Sequence, residues 1–128
     1  MATGVLNASS SSAAVLAWAH CALPPPHRPT AQGSGATVAL LNLDAAQPAT
    51  VTFGGAVQSP VPRLEYVLSP AGGAPDARAV LLNGAPLSFA GGVLSPTPPR
   101  RVTDAAEPFV LAPRTYAFVT FPDASVAC

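Results

Sequence analysis

Charge is the property that this sequence has least of. It contains no lysine, and its six arginines are balanced by six acidic residues, so that only 9% of the chain is charged and the net charge is zero. The arginines are spread along the chain apart from Arg100 and Arg101, and this distribution argues against a nucleic-acid partner. Free-standing domains usually carry about 25% charged residues, so the deficit suggests that part of the surface is covered by a partner.

Long hydrophobic runs and targeting signals are also missing. No apolar run approaches the roughly 20 residues of a transmembrane helix. The first twelve residues lack the basic and then apolar order of a secretory signal, so we expect no signal peptide in this chain. One short motif would matter in a secreted parent, because Asn7-Ala8-Ser9 matches the acceptor pattern for N-glycosylation.

Motifs that carry chemistry are absent too. The sequence has no nucleophile elbow, no phosphate loop and no dinucleotide fingerprint. A glycosidase needs two facing carboxyl groups, and we interpret all six acids as solvated or turn-forming residues. These acids are Asp44, Glu65, Asp76, Asp104, Glu107 and Asp123. We therefore expect no catalytic residue, no metal and no cofactor in this chain.

What the sequence does have is a series of short apolar runs separated by proline, glycine, asparagine or aspartate. The runs cover residues 15–21, 36–43, 49–53, 64–68, 79–82, 87–89, 108–111 and 115–121. Runs of this length with frequent breaks are typical of strands, and few windows are long enough for a helix. The pattern predicts an all-β fold, an antiparallel β-sandwich of about eight strands over residues 15–128. Residues 1–14 are expected to form an N-terminal segment, partly a short strand and partly a flexible serine-rich stretch.

Two local patterns make this prediction more specific. In the run 115–121, Tyr116 and Phe118 alternate with Ala117 and Val119, so both faces of the strand are apolar. Such a strand is either central or covered on its outer face by another domain. Between two apolar runs, Asn83-Gly84 predicts a tight hairpin, because both residues tolerate positive φ.

The two cysteines, Cys21 and Cys128, are too few for a zinc site, which needs about four ligands. His20 is adjacent to Cys21, but neighbouring strand residues point to opposite faces, so the two are not expected to act together. Two buried thiols and a single disulfide remain open on spacing alone.

One ordered series of segments is more specific than any single motif. It comprises Ala-Trp-Ala-His-Cys at 17–21, followed by residues 38–43, 65–70, 80–84, 86–87, 112–119 and 126–128. This series resembles the C-terminal region of heparanase-like proteins, glycoside hydrolase family 79, and the plant-type members most closely. The resemblance covers nearly the whole chain, and it makes residues 1–6 look like an internal family segment.

The resemblance implies a β-sandwich that accompanies a catalytic (β/α)8 barrel, with both catalytic glutamates on the barrel and none here. It implies that the parent hydrolyses O-glycosyl bonds as a β-glucuronidase, that it is secreted, extracellular or membrane-associated, and that Cys21 and Cys128 form a disulfide. The chain would then be a non-catalytic accessory domain, a fragment of the enzyme, with the barrel as its partner.

The alternative is a free-standing glycan- or protein-binding module. For acidic glycans, such a module would need its arginines to be gathered into a cradle. The arginines are Arg28, Arg63, Arg78, Arg100, Arg101 and Arg114.

Overall fold

A computed structural model describes residues 14–22, 34–57, 62–94, 96–104 and 106–126 of the chain. Within these ranges the secondary structure consists of eleven β-strands and two short 3-10 turns, at Gly55–Val57 and Ala71–Gly73. The strands are β1 (Val15–Cys21), β2 (Ser34–Asn42), β3 (Ala49–Val51), β4 (Arg63–Pro70), β5 (Val80–Leu82), β6 (Ala85–Pro86), β7 (Phe89–Ala90), β8 (Val93–Leu94), β9 (Arg100–Val102), β10 (Phe109–Leu111) and β11 (Tyr116–Val126). The predicted all-β class is confirmed. The strand count exceeds eight because β6 and β8 have only two residues each and β9 begins with two arginines, so none of the three stands out as an apolar run.

The strands form one large antiparallel sheet and two small ones. The large sheet has the order β1-β2-β11-β4-β5-β6, with β9 also pairing with β4, while β10 pairs with β3 and β7 with β8. The β3–β10 sheet is the second layer of the sandwich. Phe53, just after β3, packs its ring against Phe121 of β11 at 5.0 Å and against Phe109 of β10 at 6.0 Å between centroids.

The core lies on the face of the large sheet that meets this second layer. Alternate residues of β11, namely Ala117, Val119 and Phe121, are at most 2% exposed. Val38 and Leu40 of β2 lie in the same cluster, together with Phe109 and Leu111 of β10. The period of two residues on β11 therefore decides which side chains fill the core.

Asn42, at the end of β2, connects the two layers. Its side chain is 1% exposed, and its Nδ2 donates to the carbonyl oxygens of Gln47, Leu111 and Ala112 at 3.0–3.2 Å. Its Oδ1 accepts a hydrogen bond from the backbone N–H of Asp44. One buried amide thus satisfies backbone groups next to both strands of the second layer, because Gln47 precedes β3 and Leu111 ends β10.

The predicted hairpin at Asn83-Gly84 is confirmed. Both residues have positive φ, 50° and 81°, and Leu82 pairs directly with Ala85 across the turn. The Asn83 side chain also accepts from the N–H of Val67 at 2.8 Å and donates to the carbonyl of Glu65 at 3.0 Å. Asparagine therefore sets the turn and also pairs with the backbone of β4.

Several sequence predictions fall outside the described residues. They are residues 1–13 of the N-terminal segment, which include the N-glycosylation acceptor Asn7, then Arg28 of the predicted arginine cradle, and Cys128. Cys21 ends β1 half-buried and is not a free thiol. Because Cys128 is not described, its pairing with Cys21 stays a prediction. The described residues contain no helix that is long and apolar enough to cross a membrane.

Candidate functional site

We call the face of the large sheet that points away from the core the outer face, and three rows of side chains cross most of its strands. Residues that are directly opposite on paired strands share a face, so the strand register defines each row. The first row is Leu16, Leu41, Tyr116, Leu68 and Leu82; the second is Trp18, Ala39, Phe118 and Tyr66; the third is His20, Thr37, Thr120, Leu64 and Arg101.

The first two rows are entirely apolar or aromatic, and four of their nine residues are exposed while the other five are partly buried. Leu16, Trp18, Tyr116 and Phe118 are 39–48% exposed, and the rings of Tyr116 and Phe118 meet edge to face at 6.1 Å. Large aromatic side chains grouped on one exposed surface are typical of interaction sites rather than of scattered exposure.

The third row lies at one end of the outer face and, apart from Leu64, consists of polar side chains. The hydroxyl groups of Thr37 and Thr120 are hydrogen-bonded to each other at 3.0 Å. Arg101, opposite Leu64, is exposed and is the only residue of the three rows with a formal charge at neutral pH, with histidine taken as neutral. The outer face therefore changes from apolar to polar along the strands.

The core side of the same sheet carries a chain of ion pairs. The Arg63 Nε lies 2.7 Å from the Glu65 Oε1, and the Arg100 Nη1 lies 2.9 Å from the Glu65 Oε2. Arg100 also pairs with Glu107 through its Nη2. The Arg63 guanidinium sits 5.8 Å from the centre of the Phe53 ring. The charges of these four ion-paired side chains alternate in sign and sum to zero.

The sequence prediction for Glu65 is wrong. It was expected to be solvated or turn-forming, but it is only 3% exposed, and Arg63 is only 5% exposed. Both lie on β4 two residues apart, so they share the inner face, and β9 places Arg100 directly opposite Glu65. Opposite charges at i and i+2 of a strand were the available signal for this pair.

Two of the other acids behave as the sequence predicts. The Asp44 Oδ1 accepts hydrogen bonds from the backbone N–H groups of Ala46 and Gln47, both at 2.8 Å, and these bonds lower the pKa of Asp44 below its ordinary value. Asp104 accepts in the same way from the N–H of Ala106. Both carboxylates form turns of their own backbone.

The ion pairs also affect the hypothesis that the arginines gather into a cradle for an acidic glycan. Arg63 is buried and bound to Glu65, so it cannot face a glycan. Arg100 donates hydrogen bonds to two carboxylates, and these bonds, first the one to Glu107 and then the one to Glu65, raise its pKa. The acidic-glycan hypothesis thus loses Arg63, while Arg100 stays 55% exposed with its charge shared between two carboxylates.

The described residues hold no group of three or more His, Cys, Asp and Glu side chains placed to bind a metal ion. His20 and Cys21 point to opposite faces of β1, because His20 pairs with Thr37 of the outer face and Cys21 with Ala36 of the core. Within the same described ranges, Glu65 and Glu107 are the two carboxylates that the structure brings to one cluster, and Arg100 lies between them.

A second apolar feature is the hairpin of β7 and β8, which the sequence pattern did not predict. Its side chains Phe89 and Val93 are 72% and 69% exposed. Gly91 and Gly92 form its turn with φ of 60° and 80°. The two adjacent glycines were the available signal for this hairpin.

A scan against models of known protein families and a search among curated proteins each find no match for this chain.

Proposed function

We propose that this chain is a non-catalytic accessory β-sandwich domain that docks on a larger partner domain through its outer face. The observation that supports this proposal is the set of half-exposed side chains Leu16, Trp18, Tyr116 and Phe118 on one sheet surface. An apolar surface of this kind gains free energy when a partner removes it from water.

The gain from covering these four side chains is substantial. Their remaining exposure amounts to about 350 Å² of mainly apolar area, which corresponds to about 9 kcal/mol before the entropic cost of association. A partner joined to the domain within one chain loses less translational freedom than a separate protein does. The same contact on the outer face would therefore be more stable with a covalently linked neighbour than with a separate protein.

The dimensions of the outer face suit a layer of helices. Five strands, β1, β2, β11, β4 and β5, contribute to its first row, and strands lie about 4.8 Å apart, so this row is about 19 Å wide. A helix with its side chains is about 10 Å in diameter, so two neighbouring helices fit side by side. The outside of a (β/α)8 barrel is a ring of helices.

We infer that the partner is the catalytic barrel of a heparanase-like glycoside hydrolase. Two arguments support this inference: the segments that resemble the C-terminal region of that family, and the pairing of Glu65 and Glu107 with Arg100, which engages both carboxylates. Hydrolysis of O-glycosyl bonds of β-glucuronides would then belong to the barrel, in a secreted, extracellular or membrane-associated protein.

The test supplies the two parts as separate polypeptides. The chain is co-expressed with the tagged barrel of a heparanase-like β-glucuronidase, and we expect it to copurify. The substitutions Tyr116→Ser and Phe118→Ser should remove the complex. Val110→Ser is the matched control, because Val110 is 53% exposed but lies on β10 of the second layer.

The same preparation tests the absence of catalysis. The purified chain alone should release no product from a chromogenic β-glucuronide above the buffer rate. Clear hydrolysis by the chain, or copurification that is unaffected by both outer-face substitutions, would contradict the proposed function.

A further inference from the structure

The two edges of the large sheet differ in how well they are protected from pairing with another strand. On one side the sheet ends in β6, which has two residues including Pro86, and in β9, which carries Arg100 and Arg101. Short length, proline and charge are devices by which proteins keep edge strands from pairing with other chains. On the other side the sheet ends in β1, which has seven residues, no proline and no aspartate, glutamate, lysine or arginine.

The hydrogen bonds between β1 and β2 show which backbone groups of β1 point outward. The N–H of Leu43 donates to Ala14, and the N–H of Ala22 donates to Gly35. Even-numbered residues of β1 therefore pair with β2, since hydrogen-bonded positions alternate along an antiparallel strand. The N–H and C=O groups of Val15, Ala17 and Ala19 face away from β2, and no strand in the described part of the chain pairs with them.

We propose that this edge binds β1 of a second copy of the chain in antiparallel orientation, with a two-fold axis at Trp18. Trp18 is the central residue of the strand, so this register overlaps all seven positions of both copies. Ala17 of each copy lies opposite Ala19 of the other. Both residues present outward backbone groups, so each pair forms the hydrogen bonds of an antiparallel ladder.

The side chains fit this register. Trp18 meets its own copy at a non-hydrogen-bonded position, where side chains approach most closely. The indole is 48% exposed in the single chain and becomes covered there. The small side chains of Ala17 and Ala19 meet each other on the core side, and no formal charge faces a like charge. The strand is thus self-complementary, and this favours a second copy over an unrelated peptide.

This inference uses the edge of the sheet and does not depend on the proposed docking of the outer face. Light scattering after gel filtration should give twice the 12.8 kDa mass of the chain, with dissociation on dilution. Ala17→Pro should give the monomer mass. The N–H of Ala17 points away from β2, so proline at this position removes no hydrogen bond within the sheet.

A cross-linking variant tests the register independently of proline. Trp18→Cys should give a covalent dimer on mild oxidation, because Trp18 faces its own copy at the axis. Phe118→Cys is the matched control: Phe118 is 41% exposed on the same face but lies on the interior strand β11, and it should give no covalent dimer. Equal cross-linking of the two variants would overturn the proposed register.

Three results would overturn the inference as a whole. They are the monomer mass at every concentration, a dimer that persists in Ala17→Pro, and slow hydrogen exchange at Ala17 and Ala19 in a proven monomer, which would mean that another part of the same chain covers the edge. Failure of the docking proposal appears elsewhere, as loss of barrel copurification, which Ala17→Pro should leave unchanged.

Discussion

Replacement of Glu65 by alanine removes the carboxylate that holds two arginines. One of them, Arg63, is buried, with side-chain exposure of 7%, and its Nε pairs with the Glu65 Oε1 at 2.7 Å. The other, Arg100, is 55% exposed and keeps its pair with Glu107. The perturbation thus falls mainly on Arg63, which is left with a buried charge over the ring of Phe53.

The expected loss of stability follows from this burial. Removing one partner of a buried ion pair costs about 3–5 kcal/mol, because the other charge stays desolvated without compensation. A domain of this size is stable by about 5–15 kcal/mol in total. At about 4 °C per kcal/mol, the melting temperature of Glu65→Ala should fall by about 12–20 °C.

Two further variants separate the cost of leaving a buried charge unpaired from the cost of losing an ion pair. Arg100→Ala removes the two ion pairs of an arginine whose side chain is 55% exposed, and Glu65 keeps its pair with Arg63, so this variant should cost at most about 1 kcal/mol. The double variant Arg63→Met with Glu65→Leu removes both buried charges and should recover most of the loss, since apolar replacements of buried pairs are often neutral.

The assay is urea unfolding followed by far-ultraviolet circular dichroism, which reports on the strands themselves. Trp18 fluorescence is less suitable, because the indole is half-exposed before unfolding. If Glu65→Ala is no less stable than Arg100→Ala, the buried pair is not a stabilising contact and the reasoning is refuted.

Three other predictions concern a glycine, an aspartate and the two cysteines. Gly35→Ala should destabilise the domain by about 1–3 kcal/mol in the same assay, because its Cβ would lie 2.7 Å from a backbone oxygen of β11; Gly54→Ala, with open space around it, is the control. The pKa of Asp44 in the folded protein is below its ordinary value of 3.8. Its carboxylate therefore contributes to stability above that pH, and the contribution should be lost as the pH falls through the folded pKa. Asp44→Asn should lack this pH dependence in acid unfolding. Protein made in an oxidising compartment should contain a Cys21–Cys128 disulfide, shown by one bridged peptide in mass spectrometry; two free thiols per chain would exclude it.

The sequence predicted the features that depend on local pattern. Alternation along 115–121 separated Val119, in the core, from Phe118, on the outer face, and Asn83-Gly84 marked its hairpin. Both follow from the geometry of a few consecutive residues. They required no knowledge of which strands pair.

The ion-pair chain depends instead on the long-range register. Glu65 and Arg100 are 35 residues apart, and they meet because β9 pairs with β4. β9 has three residues and follows a proline-rich stretch, so no periodic pattern reveals it. Without β9, Glu65 reads as an ordinary charged residue of an apolar strand.

The pairing of β9 with β4 also explains where many of the few charged residues of this chain lie. Four of its twelve charged residues, Arg63, Glu65, Arg100 and Glu107, neutralise one another in a single cluster. The outer face keeps one formal charge, on Arg101 at its polar end. With zero net charge there is little long-range repulsion to keep two copies apart. The open edge of β1 and the outer face are therefore two surfaces of the described residues from which association of the isolated chain should begin, and charge placed on either one should oppose it.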